Sequence, residues 1–184
     1  MPVAFEVARA LDAPLDVFLV RKLGVPGQRE LAMGAIATGG VRVLNDYVVA
    51  AAGVPREKID AVAEEEQREL ERRERLYRGD RAPPDVRGRT VILVDDGLAT
   101  GSSMRAAVTA LREEEPARIV VAVPAAASET CEAFEGEVDE LVCLISADPF
   151  LAVGYWYDDF SETSDEEVRE LLERAARAGP GGDQ

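Results

Sequence analysis

Apolar residues along this chain follow two rhythms, and the point where one gives way to the other divides the sequence. Val3, Val7, Ala8 and Leu11 recur at helical spacing and predict a helix over Pro2–Leu11. Leu15–Val20 is a short apolar run that stops at Arg21-Lys22, the pattern of a buried strand ending on two cations. Gly24-Val25-Pro26-Gly27 breaks regular structure, and Met33–Ala37 and Val41–Leu44 flank Thr38-Gly39-Gly40 as the arms of a hairpin. Pro55–Tyr77 reads as a long charged helix, acidic early (Glu57, Glu64, Glu65, Glu66) and basic late (Arg72, Arg73, Arg75), the order that complements a helix dipole. Its apolar face is thin (Ile59, Val62, Leu70, Tyr77), so the helix is expected to be solvated and to lie outside the main core.

After the Pro-containing connector Gly79–Gly88 the rhythm becomes regular. Strands are predicted at Thr90–Val94, Ile119–Val123 and Leu141–Ile145, alternating with helices at Ser103–Leu111, Ser128–Phe134 and Ser164–Ala178. Ser128 is expected to cap its helix, and Ser164 with Glu167 forms a capping box. Strands alternating with helices imply an α/β fold with a parallel sheet covered on both faces.

A length of 184 residues fits a single α/β domain with a loop, hairpin and charged-helix insertion over residues 23–88, and a disordered tail over 178–184. The hydrophobic share of 47% suffices for a core, and no uninterrupted apolar run approaches the length needed to span a bilayer. The start of the chain lacks a basic region followed by an apolar stretch, which makes the cytoplasm the expected location. Formal charge is 21 − 36 = −15, which argues against nucleic acid as a partner while leaving room for a small polyanion held by backbone N–H groups and a metal. With no His and only Cys131 and Cys143, the chain lacks the parts for a zinc site or a Ser–His or Cys–His nucleophile. Cys143 lies in an apolar strand-like run and is expected to be a buried thiol.

The chemistry concentrates at Val91–Ser103. An apolar strand leads into Asp95-Asp96-Gly97-Leu98-Ala99-Thr100-Gly101-Ser102-Ser103, and a helix follows. Adjacent carboxylates at the end of a buried strand are costly unless they meet donors, a ligand or a metal. Gly97 and Gly101 let the chain bend and approach a ligand, while Thr100, Ser102, Ser103 and the helix-start N–H groups can cradle an anion. A sugar 5-phosphate suits a phosphate cradle beside a carboxylate pair. The alternative is that the acids merely begin a turn and the serines merely cap a helix.

This run resembles the phosphoribosyl-diphosphate (PRPP) motif of the type I phosphoribosyltransferases: apolar strand, Asp-Asp, three variable residues, Thr-Gly, one residue, then Ser or Thr. The resemblance implies a three-layer fold built on a parallel sheet with a hairpin and helix insertion. It implies that Asp95 and Asp96 hold the ribose hydroxyls and that Ala99, Thr100, Gly101, Ser102 and Ser103 wrap the 5-phosphate. The activity implied is Mg2+-dependent transfer of 5-phosphoribosyl from PRPP to a nitrogenous, purine-like base with release of pyrophosphate; the alternative is a non-catalytic PRPP-binding or regulatory protein of the same fold.

Arg21 and Lys22 resemble the basic pair that several members set against pyrophosphate, or are simply solvated. Gly24–Gly40 occupies the place of the mobile loop that members close over the reaction centre, with Glu30 as its candidate acid/base. Phe150–Phe160 resembles the purine-contacting segment, implying that Phe150 or Trp156 stacks on the base and that Asp158 or Asp159 serves the metal; aromatic packing under the last helix is the alternative. Ala99 stands where 6-oxopurine members carry Asp, as in adenine members, and Val123–Ala127 lacks the Lys that reads a 6-oxo group, so the base stays unnamed. Members also begin with a strand and pyrophosphate loop ahead of a helix like Pro2–Leu11. This sequence opens at that helix, and a natural protein longer at its N-terminus is the favoured expectation over a truncation that binds PRPP poorly. A homodimer stays open, since the helix Pro55–Tyr77 suits an interface or solvent.

Overall fold

A computed structural model describes residues 1–79 and 81–178, with the side chains of Arg29 and Glu30 outside the described set. The expected disordered tail falls outside the described residues except for Ala178, the last residue of a helix. The chain forms two compact units, Met1–Val17 with Leu76–Gly101 and Glu115–Gln184, and Phe18–Arg75 with Ser102–Glu114.

The first unit holds a parallel sheet of β4 (Thr90–Val94), β5 (Arg118–Ala127) and β6 (Glu140–Ala147), in that order. Val91 pairs with Ile119 and Val121 with Leu141. The central position of β5 explains its unbroken apolar run: Ile119, Val120, Val121, Val123, Ala125 and Ala126 are all buried, as a parallel strand with neighbours on both sides requires. It runs without a gap into α5 (Ser128–Phe134), which packs on β5 and β6 and buries Thr130, Cys131 and Phe134. That direct junction overturns the expected cap. Ala127 holds the N-cap position with no side-chain bond, and the Ser128 hydroxyl instead accepts a hydrogen bond from Ser146 at 2.9 Å.

Helices α1 (Pro2–Leu11) and α6 (Asp165–Ala178) pack on each other, burying Phe5 and Ala8 on one and Val168, Leu171 and Leu172 on the other. The Arg174 guanidinium lies 4.6 Å from the centre of the Phe5 ring. Ser164 caps α6 as its sequence indicates, its Oγ accepting from the Glu167 N–H at 3.2 Å. Arg78, only 8% exposed, donates to both Asp16 carboxylate oxygens and to the Val17 carbonyl, so its buried charge is paired and hydrogen-bonded. Cys143 is half-buried rather than fully buried, and its Sγ lies 3.1 Å from that of buried Cys131. Desolvation, with the Cys131 thiol adding to it, pushes the Cys143 pKa up to about 12, so at neutral pH it is a protonated, weakly reactive thiol.

The second unit departs further from expectation. Its sheet is antiparallel, β1 (Val20–Val25), β2 (Gln28–Ala37) and β3 (Arg42–Leu44) in that order. The strand expected at Leu15–Val20 lies five residues later, at Val20–Val25, so Arg21 and Lys22 sit inside β1 and pair with Ile36 and Ala35. The reason is alternation: Leu23 and Val25 are buried and Lys22 is exposed, a period of two that the preceding apolar run conceals. Gly24–Gly40, set in the place of the mobile loop, is built from the β1–β2 hairpin and the turn that follows it. Pro26-Gly27 forms its two-residue turn, with Gly27 at φ 82° and Val25 pairing with Gln28. The second turn falls at Thr38-Gly39-Gly40 as the pattern indicates, both glycines having positive φ.

The charged helix is α3 (Arg56–Arg78), and it is not merely solvated. Ile59, Ala63 and Leu70 join Leu23, Val25, Met33 and Ile36 in one buried cluster. The stripe is short, yet Ile59, Ala63 and Leu70 on it are each at most 7% exposed, so few apolar residues suffice to anchor the helix. A short helix absent from the sequence reading, α2 (Asp46–Ala52), is capped by Asn45, whose side chain accepts from the Val48 N–H at 3.1 Å. α4 (Ser102–Arg112) packs against β1, β2 and β3. Replacing fully buried Leu70 by Ala is expected to cost about 2–5 kcal/mol in denaturant unfolding, whereas a solvated helix would show a change within about 0.5 kcal/mol.

Candidate functional site

The acidic loop begins where β4 ends, and its inner side is built by backbone. The Asp95 N–H reaches the Ala122 carbonyl at 3.4 Å, the Leu98 N–H donates to Ala125 O at 3.0 Å, and the Ala127 N–H donates to Leu98 O at 3.0 Å. Leu98 is thus stitched to β5 by both its polar groups, and its side chain is 2% exposed. Gly97 lies so close to its surroundings that a Cβ would stand 2.8 Å from Ala125 O and 2.7 Å from a Val153 methyl. Gly101, at φ 69°, lies under Phe134, whose ring edge would be 2.5 Å from a Cβ.

With Gly97 and Leu98 inward, Asp95, Asp96, Ala99 and Thr100 are exposed on the outer side of the turn. Two hydroxyls hold this outer side. Tyr157 donates to the Asp96 carbonyl and Thr130 to the Ala99 carbonyl, each at 2.6 Å. Asp95 keeps contact with solvent, yet the protein packed around its carboxyl raises its pKa. The Asp96 N–H, 2.9 Å from Asp95 Oδ1, opposes that rise, and the neighbouring Asp96 charge adds to it. Burial and the charges of Asp96 and Asp95 likewise raise the Tyr157 pKa, keeping its hydroxyl a donor.

In the same unit the rings of Phe150 and Trp156 lie nearly parallel, 18° apart with centroids 6.5 Å from each other. Asp159 accepts from the Ser161 N–H at 2.9 Å, and hydrogen bonds from Ser161 hold its carboxyl below the usual range. Asp158 is exposed. Among the described residues no three His, Cys, Asp or Glu side chains gather into a metal cluster.

The remaining candidates belong to the second unit. Ser102 and Ser103 are the first two residues of α4, directly following Gly101 in the chain. Arg21 is engaged by Glu66 on α3, with N–O distances of 2.6 and 2.7 Å, while Lys22 is exposed. Glu30 is placed by its backbone alone, in β2. The structure therefore brings Asp95, Asp96, Ala99, Thr100, Gly101, Phe150, Trp156, Asp158 and Asp159 into one unit, and Arg21, Lys22, Glu30, Ser102 and Ser103 into the other. Sequence reasoning missed Thr130, Val153 and Tyr157. Tyr157 carried the one available signal, a phenol among aromatics that needs a partner for its hydroxyl.

Residues 1–159 match the family described as “Phosphoribosyl transferase domain”. Two Mycobacterium tuberculosis proteins, of strains CDC 1551 and H37Rv and both named “Putative phosphoribosyl transferase”, are 49% identical to this chain over 179 residues. The match covers 96% of this chain and 40% of each relative, so the chain spans less than half of their length. The crystal structure of TT1426 from Thermus thermophilus superposes with a TM-score of 0.80 at 42% identity, covering 94% of this chain and 81% of that one.

Because its surroundings disfavour ionised Asp95, the folded state binds this proton more tightly than the unfolded chain, and stability from this group falls as pH rises through the carboxylate range. Asp95→Asn is therefore expected to melt above the unsubstituted protein at pH 7, with the gap closing towards pH 4. Thermal melts at the two pH values check this.

Proposed function

This chain belongs to the phosphoribosyl transferase domain family, and from that premise we propose that it moves the 5-phosphoribosyl group of PRPP to a nitrogenous, purine-like base and releases pyrophosphate. The observation that carries the reading is the turn at Asp95–Gly101. It presents two carboxylates and Thr100 outward while its backbone is pinned to β5. In this reading Asp95 and Asp96 accept hydrogen bonds from the ribose hydroxyls, and Ala99–Ser103 meets the 5-phosphate with N–H groups and hydroxyls. Phe150 and Trp156 supply apolar faces for the base.

A Mg2+ bound with PRPP would neutralise charge on the leaving diphosphate. Asp158 is the better of the two C-terminal acids to serve it, because Asp159 is already committed to Ser161. Lys22 and Arg21 are the cations assigned to pyrophosphate, Arg21 exchanging Glu66 for it, and Glu30 is the candidate acid/base. Transfer breaks the bond from ribose C1 to the diphosphate oxygen and forms one from C1 to a base nitrogen, whose proton must leave. Ala99 supplies no carboxylate for that proton. No described helix is long and apolar enough to cross a membrane.

Calorimetric titration with PRPP and Mg2+ tests the binding step, and pyrophosphate release across a panel of bases tests transfer. Binding should require Mg2+ and weaken at least tenfold in Asp95→Asn/Asp96→Asn, about 1.4 kcal/mol or more. Binding without pyrophosphate release on any base would assign the protein to PRPP sensing. Absence of binding would overturn both readings.

A further inference from the structure

We propose that Tyr157, with Thr130 as its counterpart, is a positioning residue that holds the Asp95–Gly101 turn in its ligand-ready shape, a role that rests on the phosphoribosyl-transfer reading above. The inner side of the turn is fixed by the Leu98 N–H and carbonyl on β5. That leaves the outer carbonyls of Asp96 and Ala99, which flank the buried pair Gly97-Leu98. Each accepts one side-chain hydroxyl at 2.6 Å, from Tyr157 and Thr130 respectively. The turn is therefore held by backbone on one side and by two hydroxyls on the other.

Tyr157 is itself supported. Its ring lies 5.2 Å from that of Phe160, and Phe160 lies over Gly154, where a Cβ would stand 2.8 Å from the ring. Val153, in the same segment, closes over Gly97. One stretch of chain, 153–160, thus grips the turn by a methyl contact and a hydrogen bond, and it includes Trp156, assigned to the base. Thr130 works from α5, where Phe134 one helical turn later covers Gly101. Neither hydroxyl needs to touch substrate. Each limits how far the main chain carrying the two carboxylates can move, so less ordering remains to be done when ribose binds.

The test uses Tyr157→Phe, which removes the hydroxyl and keeps the ring, and compares hydrogen–deuterium exchange and Mg-PRPP affinity with the unsubstituted chain. The amides of 95–101 should exchange several-fold faster without ligand while β5 and α5 are unchanged. The dissociation constant and KM for PRPP should rise roughly five- to tenfold, as for one lost hydrogen bond, with kcat little altered. Thr130→Val should act in the same direction, and Thr130→Ser should restore slow exchange. Unchanged exchange in Tyr157→Phe overturns the proposal, and so does faster exchange spread through β5 and α5, which would mark a general packing role. If the unsubstituted chain shows no affinity for PRPP, the transfer reading fails, and the ligand-free exchange still decides whether Tyr157 holds the turn.

Discussion

Backbone proximity at Gly97 and Gly101 governs where the acidic turn can lie. With the Ala125 carbonyl and a Val153 methyl occupying the space a Cβ would take at Gly97, the chain turns there with its buried side against β5. Asp95 and Asp96, which open the turn, are left exposed. At Gly101 the Phe134 ring fills the equivalent space and the positive φ redirects the chain into α4. The placement of the carboxylates is thus set by two close contacts of main chain, neither of which involves a charged group.

That arrangement would let a chain of net charge −15 present the site proposed for a phosphorylated sugar. Recognition by N–H groups and hydroxyls depends on orientation more than on net field, so it tolerates acidic surroundings. Arg21 is paired with Glu66, so its charge is already matched within the chain.

Much of the parallel half was legible in the sequence because its signals are local. β4 and α5 coincide with their predicted bounds, and the Asp-Asp turn announces itself by residue type. β1 and α3 were read less well, since each depends on what lies opposite. Lys22 and Leu23 alternate across an antiparallel pair whose partner is β2, and α3 looked solvated until Ala63 and Leu70 met Met33 and Ile36. The same cause hid Thr130 and Tyr157. Their partners are main-chain carbonyls 31 and 61 residues away, and a carbonyl has no signature in sequence.

The two sheets also differ in how far along the chain their partners must be sought. β1 and β2 are joined by two turn residues, so closing that ladder fixes very little loop, an event on the order of microseconds. β4 and β6 each pair only with β5 among the described strands, across connections that carry α4 and α5. Neither outer strand can be hydrogen-bonded into the sheet before β5 is laid down. Since loop-closure entropy must be met before such non-local pairings stabilise anything, the Asp95–Gly101 turn can be pinned only once β5 has been brought beside it. The local hairpin can be complete well before then.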